Sequence, residues 1–263
     1  MDLQLTGKVA LVAAASRGLG KAAAMKLAEE GCRLAIFSRG EEQIQQAADE
    51  IRSATGAEVF ARPVDLRDGQ ALANFVAAAA DHYGQINIVV GNAGGPPAGQ
   101  LLDLTDEQWQ QAFELLLLSA ARLCRLTIPH LKAAGGGSVV YITSAAVKQP
   151  YSNLILSNSI RLGVLGLLKT LALEYAAEGI RFNSVMPGPI LTDRQWELAR
   201  AKAGVTGQTP EEILAETARG IPMGRIGEPE ELANLVAFLA SPRAAYITGA
   251  FVQVDGGQYK GLL

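Results

Sequence analysis

The chain has 263 residues, a net charge of −3, and 49% hydrophobic against 19% charged residues. That balance excludes a disordered chain, which is poor in apolar residues. It also argues against a nucleic-acid binder, which needs a basic stripe to displace counterions.

The length allows one large domain or two small ones, with well over half of the unfolded surface buried. Small residues dominate, with 28 glycines and 43 alanines, while aromatics are only 6%. Unbroken apolar runs such as Val9–Ala15 fall well short of the ~20 residues that span a bilayer. The N-terminus shows no export pattern. No membrane partner is expected, and the expected location is cytoplasmic. Cys32 and Cys124 are far apart, which speaks against a disulfide framework. His82 and His130 stand alone, so no metal site is expected.

In chain order, Val9–Ala13 reads as a strand, followed by a glycine-containing turn and a helix over Gly20–Glu30. Arg33–Ser38, Glu58–Pro63 and Ile86–Gly91 read as further strands, separated by helices over Glu42–Thr55 and Gln70–Tyr83. A turn-rich stretch, Gly91–Gly99, precedes a long helix over Asp106–Ala133, with a kink expected at Pro129. After the Gly135–Gly137 break come a strand Ser138–Thr143, a helix Ser157–Ala177 and a strand Arg181–Met186. Pro187 and Pro189 then break the pattern, and Thr192–Gly220 is polar and helix-prone. A helix over Pro229–Leu239 and a last strand over Ala250–Val254 finish the order. Short apolar runs alternating with helices predict repeated βαβ units, hence an α/β fold with a parallel sheet covered on both faces. Tight strand–helix packing gives the alanines and glycines a use. With no linker and no repeat, residues 1–263 read as a single domain, and 192–220 as an insertion over one end of the sheet.

In an open parallel sheet, ligands bind beyond the carboxyl ends of the strands. The first such end is Val12–Gly20. Here Gly18 and Gly20 let the backbone approach a pyrophosphate, and the following helix N-terminus favours an anion. The spacing is not G-x-G-x-x-G. Cofactor choice follows from charge: the second strand ends in Phe37-Ser38-Arg39 without an acid. An acid there would hold the 2′-hydroxyl of NAD, whereas basic groups suit the 2′-phosphate of NADP. Arg39, with Arg17 from the first loop, offers two guanidiniums to a phosphate dianion, so NADP(H) is the expected cofactor.

These segments and those that follow carry a family resemblance. They are Lys8–Val12 with Ser16-Arg17-Gly18-Leu19-Gly20, Asp65-Leu66, Asn92-Ala93-Gly94 and Ile142-Thr143-Ser144. Further on stand Gly179–Asn183, Pro187-Gly188-Pro189-Ile190, Pro222–Pro229, and Ile247–Gly249 with Val254–Gly257. In this order the chain resembles the short-chain dehydrogenase/reductase family over essentially its whole length, closest to the 3-oxoacyl-acyl-carrier-protein reductase-like branch. The resemblance implies a Rossmann-type, doubly wound parallel sheet of about seven strands that binds a nicotinamide dinucleotide. By resemblance, Ala14, Ser16, Arg17, Gly18, Leu19, Gly20, Ser38 and Arg39 border the phosphates and ribose. Asp65 and Leu66 flank the adenine, and Asn92, Ala93 and Gly94 lie along the cofactor. Pro187, Gly188, Ile190 and Thr192 meet the nicotinamide end. The 192–220 segment becomes a substrate lid, with Trp196 as a pocket residue. Homotetramers or homodimers, built from the long helices and the last strand, are implied as well.

The catalytic positions depart from the family pattern. The family uses a serine, a tyrosine, a lysine one helical turn later, and an upstream asparagine. The serine is Ser144. The tyrosine position holds Ser157, the lysine position Arg161 and the asparagine position Leu116. Ala13-Ala14 stands for the usual threonine-glycine, and Gly91 for the first asparagine of the double-asparagine turn. Ser157 and Arg161, at i and i+4, share one helix face. A serine hydroxyl is a far weaker acid than a phenol of pKa ~10. Arg161 stays charged, binds ribose hydroxyls and steadies a developing alkoxide, but it relays no protons. The expected activity is reduction of a small-molecule ketone by pro-S hydride delivery from NADPH, with Ser144 and Arg161 polarising the carbonyl. Tyr151 is an alternative proton donor, or simply a pocket-wall aromatic. The competing reading is a catalytically degenerate nucleotide-binding protein with a regulatory or structural role. A lyase- or isomerase-like activity is a third.

Overall fold

Seven parallel strands form the centre of the computed structural model, which describes residues 1–262. They are β1 (Val9–Ala13), β2 (Arg33–Ser38), β3 (Val59–Pro63), β4 (Ile88–Gly91), β5 (Gly137–Ile142), β6 (Ile180–Pro187) and β7 (Phe251–Val254). Their spatial order is β3-β2-β1-β4-β5-β6-β7. Leu11 of β1 registers with Ala35 of β2 on one side and Val89 of β4 on the other. The strand order reverses between β1 and β4, and the ligand crevice of such a sheet opens at that switch point. The expected doubly wound single-domain sheet is the one observed.

Around it lie α1 (Gly18–Glu29), α2 (Glu41–Thr55), α3 (Gly69–Tyr83), α4 (Asp106–Phe113), α5 (Ser119–Ala133), α6 (Ile155–Tyr175), α7 (Asp193–Thr206), α8 (Pro210–Arg219) and α9 (Pro229–Ala240). Each central strand is apolar on both faces, as a doubly covered sheet requires. Ala10 and Val12 join the core under α1, α2 and α9. Val9, Leu11 and Ala13 join the one under α3, α5 and α6. Ala23, Ala24 and Ala28 of α1 share a cluster with Ala237 and Ala240 of α9. Small side chains let these two helices approach closely, and extra methylenes there cost about 1–3 kcal/mol each.

Three elements differ from the sequence reading for identifiable reasons. The polar segment 192–220 is two helices: Gly207, at φ +74°, ends α7. A reciprocal cap between Thr209 and Glu212, with Pro210 in the first turn, then starts α8. The long helix Asp106–Ala133 is interrupted at Glu114–Leu118 by a π turn, while α5 continues through Pro129. Such wider turns occur where one residue too many must fit into a helix. Here they fall on four successive leucines, of which Leu116 packs with Ala112, Leu156 and Ile160. Finally, Ile155–Glu178 is long and apolar enough, by length and composition, to cross a membrane. Counting only unbroken runs missed it. In the fold, Leu156, Ile160, Val164, Leu168 and Leu171 of this helix are buried in protein.

Gly91 ends β4 directly against the ring of Tyr141 on the neighbouring strand. A Cβ at Gly91 would lie within the van der Waals shell of Tyr141 Cε1 and Cζ. The Tyr141 hydroxyl in turn donates to the Ala120 carbonyl at 3.2 Å, which fixes the ring. The missing asparagine is therefore a steric consequence of the tyrosine. Gly91→Asn is expected to destabilise the fold by about 3 kcal/mol or more, since overpacking a filled core typically costs ~1–3 kcal/mol. Adding Tyr141→Val should recover much of that loss in a double-mutant denaturation cycle. Equal losses in single and double variants would show that the ring is not the obstacle.

Candidate active site

The crevice is built from the loops that follow β1 and β4. Ala14 takes a left-handed φ of +51°, a conformation that costs a residue with a Cβ about 1–2 kcal/mol. Ser16 is half-buried and Leu19 packs onto the core. Gly18 begins α1 at φ +57°. A Cβ on Gly20 would strike the Ala14 carbonyl oxygen and come within 2.8 Å of Asn92 Nδ2. Asn92 Nδ2 donates to that same carbonyl at 3.5 Å, tying the two loops together. Ala93 is half-buried and Gly94 exposed, with open space where its Cβ would be.

At the end of β2, Ser38 is buried and its Oγ has no hydrogen-bond partner in the protein. A buried hydroxyl without a partner costs about 1–3 kcal/mol, so a ligand that completes it gains correspondingly. Arg39 is exposed beside it. Asp65 is gripped by Arg67, whose Nη2 donates to Oδ2 at 2.7 Å. That hydrogen bond holds the Asp65 carboxyl below its usual range, with burial opposing and Arg39 adding a smaller pull. Leu66 is buried alongside. Arg17, expected on a phosphate, is here ion-paired across the crevice with Asp193 at 3.3 Å and Glu197 at 3.6 Å.

Ser144 caps a short turn after β5, and its Oγ accepts from Ala146 N at 3.1 Å. Its own proton therefore stays available to a ligand. Ser157 is half-buried on α6, and Arg161, one turn on, is only 8% exposed. The Arg161 Nη1 donates to the Ile142 carbonyl at 3.5 Å and Nη2 to that of Ala93 at 3.3 Å. It thus bridges the ends of β5 and β4 with two long bonds and no acidic partner among the described residues. Burial, reinforced by the nearby Arg194 charge, brings its pKa down to about 10, so it stays cationic at neutral pH. Beside it lies a cavity of about 20 Å³ lined by Asn92, Leu116, Ser119, Thr143 and Arg161 among others. That is room for about one water.

The remaining sequence candidates sit at the crevice rim and over it. Pro187 ends β6, and a Cβ on Gly188 would come within 2.7 Å of Asp255 Cβ. Ile190 is buried and bridges to Gly227. Thr192 precedes α7, close enough that a Cβ on Gly18 would touch its methyl at 3.7 Å. Trp196 packs with Ala199, Ile213 and Leu214, so it belongs to the small core that joins α7 to α8. Tyr151 donates to Gln258 Oε1 at 2.8 Å, and burial, with Asp255 as a lesser cause, raises its pKa.

Sequence reasoning missed three residues. Asn158 donates from Nδ2 to the Tyr151 carbonyl at 2.8 Å, while its Oδ1 is buried without a partner. Its only signal was a large polar side chain in the first turns of a helix whose core-facing positions are apolar. Arg194 reaches from α7 to the Pro96 carbonyl at 3.1 Å. Gln258 meets Tyr151 from the far end of the chain, and no local pattern marks either contact. Cys32 and Cys124 are buried, and burial pushes both thiols up to about 12, so neither is a nucleophile here.

The residues fit a dinucleotide phosphate. A glycine-lined backbone approach, a helix N-terminus, an orphaned Ser38 hydroxyl and the exposed Arg39 next to it stand at the carboxyl ends of β1 and β2. The chain matches the family described as enoyl-(acyl carrier protein) reductase over residues 13–258. It is 36% identical over 254 residues to dehydrogenase/reductase SDR family member 4 of Oryctolagus cuniculus, covering 96% of this chain and 94% of that one. It is 31% identical to a 3-oxoacyl-[acyl-carrier-protein] reductase of Staphylococcus epidermidis, covering 96% of this chain and 99% of that one. Its fold superposes on L-sorbose reductase of Gluconobacter frateurii, solved with NADPH and L-sorbose, at a TM-score of 0.95 and 33% identity over 100% of both chains.

Proposed function

The chain belongs to the short-chain dehydrogenase/reductase family, and from that premise we propose that it is an NADPH-dependent reductase of ketones. The observation that carries the reading is the glycine-lined crevice with the orphaned Ser38 hydroxyl, beside a buried Arg161 that is cationic at neutral pH. Ala14, Ser16, Gly18, Leu19 and Gly20 would hold the pyrophosphate, with Ser38 and Arg39 at the 2′-phosphate, where Arg17 would join them by exchanging Asp193 and Glu197 for the phosphate. Asp65 and Leu66 would flank the adenine. Asn92, Ala93, Gly94 and Arg161, with Pro187, Gly188, Ile190 and Thr192, would hold the nicotinamide half. NADPH held by these residues would be the hydride source for the carbonyl carbon.

The protein's part is positioning and charge. Ser144 keeps its hydroxyl proton free to donate to the carbonyl oxygen, because the acceptor side of Oγ is taken by Ala146 N. Arg161 steadies the negative charge that develops there, in a site whose low dielectric strengthens it. Ser157 fills the helix face between them, and water delivers the final proton. Losing a phenolic acid forfeits about 10²–10⁴-fold, whereas positioning is retained. Residues 192–220 serve as a lid, with Trp196 stiffening it, and Tyr151 walls the pocket. A cytoplasmic homodimer or homotetramer is the assembly we favour. The exposed Leu162 and Leu173 on α6 support the association.

One observation favours the alternative of a non-catalytic nucleotide-binding protein. Leu116, Leu156 and Ile160 form an apolar cluster beside the reaction site, where the family pattern calls for an asparagine. Turnover decides between the two readings. The cofactor choice has its own test by fluorescence titration. NADPH should bind more tightly than NADH. Arg39→Ala should weaken NADPH alone by about 10–100-fold, the worth of a charge-assisted hydrogen bond. Equal binding of the two cofactors, or no loss in the variant, contradicts the assignment.

A further inference from the structure

We propose that Arg194 recognises a carboxylate on the substrate, so that the preferred carbonyl compound is an oxo acid and not a neutral ketone. This deepens the reductase reading above and rests on it for the carbonyl chemistry. Arg194 belongs to the first turn of α7, yet its guanidinium lies across the crevice on the turn after β4. Its Nη2 donates to the Pro96 carbonyl at 3.1 Å. A Cβ on Gly95 would sit 3.0–3.2 Å from its Nε, Nη2 and Cζ, so the guanidinium packs closely on glycine backbone. Arg161 grips the same turn from the other side, through the Ala93 carbonyl at 3.3 Å. Two guanidiniums therefore hold one four-residue segment, 93–96, at the carboxyl end of β4. Ligands of this sheet type bind there.

The charges around them do not balance. Arg161 has no carboxylate partner among the described residues, and the repulsion of Arg194 is felt at it. Glu197 is the acid paired with Arg194, at 3.4 Å, and it also meets Arg17 at 3.6 Å, whose other partner is Asp193 at 3.3 Å. Three guanidiniums, one of them buried, stand against two carboxylates, which leaves one positive charge in excess beside the reaction site. An anionic group entering the crevice offsets it. Arginine suits this task because its planar fork binds a carboxylate through two parallel hydrogen bonds.

The test uses the NADPH-loaded protein and two readouts. Calorimetric titration with oxamate, a carboxylate that is not reduced, reports binding without turnover. Steady-state kinetics compare 2-oxobutanoate with its methyl ester. Wild-type protein should bind oxamate, and Arg194→Leu should weaken that binding by about tenfold or more, a typical value for a hydrogen bond to a charged group. Arg194→Lys, which keeps the charge and loses the fork, should recover part of it and guards against a folding defect in the leucine variant. The ratio of KM for the acid to KM for the ester should rise about tenfold in Arg194→Leu. Oxamate that does not bind, or binds both forms equally, overturns the proposal. So does a loss confined to NADPH affinity, which would assign Arg194 to the cofactor's pyrophosphate. Reduction of neutral ketones without oxamate binding overturns this inference alone. Oxamate binding lost in Arg194→Leu, without turnover of either carbonyl compound, overturns the reductase reading alone.

Discussion

Ser157→Tyr combined with Arg161→Lys is expected to raise kcat for ketone reduction by about 10²-fold or more, within the ~10²–10⁴-fold that general acid catalysis supplies. Ser157 and Arg161 stand one helical turn apart on α6, the first half-buried and the second buried. A serine hydroxyl is short and far less acidic than a phenol of pKa ~10. A tyrosine from the same Cα would reach further than the serine, and a neighbouring ammonium favours its ionised form. The pH dependence is the diagnostic part. The double variant should show a new ionisation in kcat/KM that the parent does not have. A double variant that folds, binds NADPH and gains neither rate nor ionisation would show that position 157 does not face the reacting carbonyl.

Arg161→Met should act in the opposite direction on activity while sparing the fold. The guanidinium is buried, has no carboxylate partner among the described residues and makes only two long hydrogen bonds, to Ile142 and Ala93. An unpaired buried charge keeps an uncompensated desolvation cost, so an apolar side chain of similar length is expected to leave stability unchanged or raise it. Turnover should fall by about 10²–10³-fold, the cost of removing one group that stabilises a developing oxyanion. Denaturation and NADPH-oxidation assays on one preparation give both numbers. A variant that unfolds would make Arg161 a structural strut. One that keeps full activity would remove it from the mechanism.

The sheet was legible because its evidence is local: short apolar runs, glycine turns and helices alternate along the chain, and each strand packs its own faces. Element ends shifted by one or two residues, as capping and fraying dictate. The exceptions share a cause. The π turn at Glu114–Leu118 depends on what Leu116 meets on α6. The division of 192–220 into two helices depends on Gly207 and the Thr209 cap. Gly91 is explained only by the Tyr141 ring on the next strand. At the crevice, the turn from β1 into α1 could be read because a strand, glycines and a helix start are contiguous. The Arg17 pairing with Asp193 and Glu197, the reach of Arg194 to Pro96, and the Tyr151–Gln258 bond could not. Each joins segments about a hundred or more residues apart, or depends on how residues 192–220 settle.

The most direct test is NADPH oxidation by the purified protein over a panel of ketones, oxo acids and 3-oxoacyl thioesters, run in parallel with Ser144→Ala. The predicted result is measurable turnover of at least one carbonyl class, lost in Ser144→Ala while NADPH affinity is kept. Clean NADPH binding with no turnover across the panel would contradict it and leave the protein a binder of the nucleotide rather than a reductase.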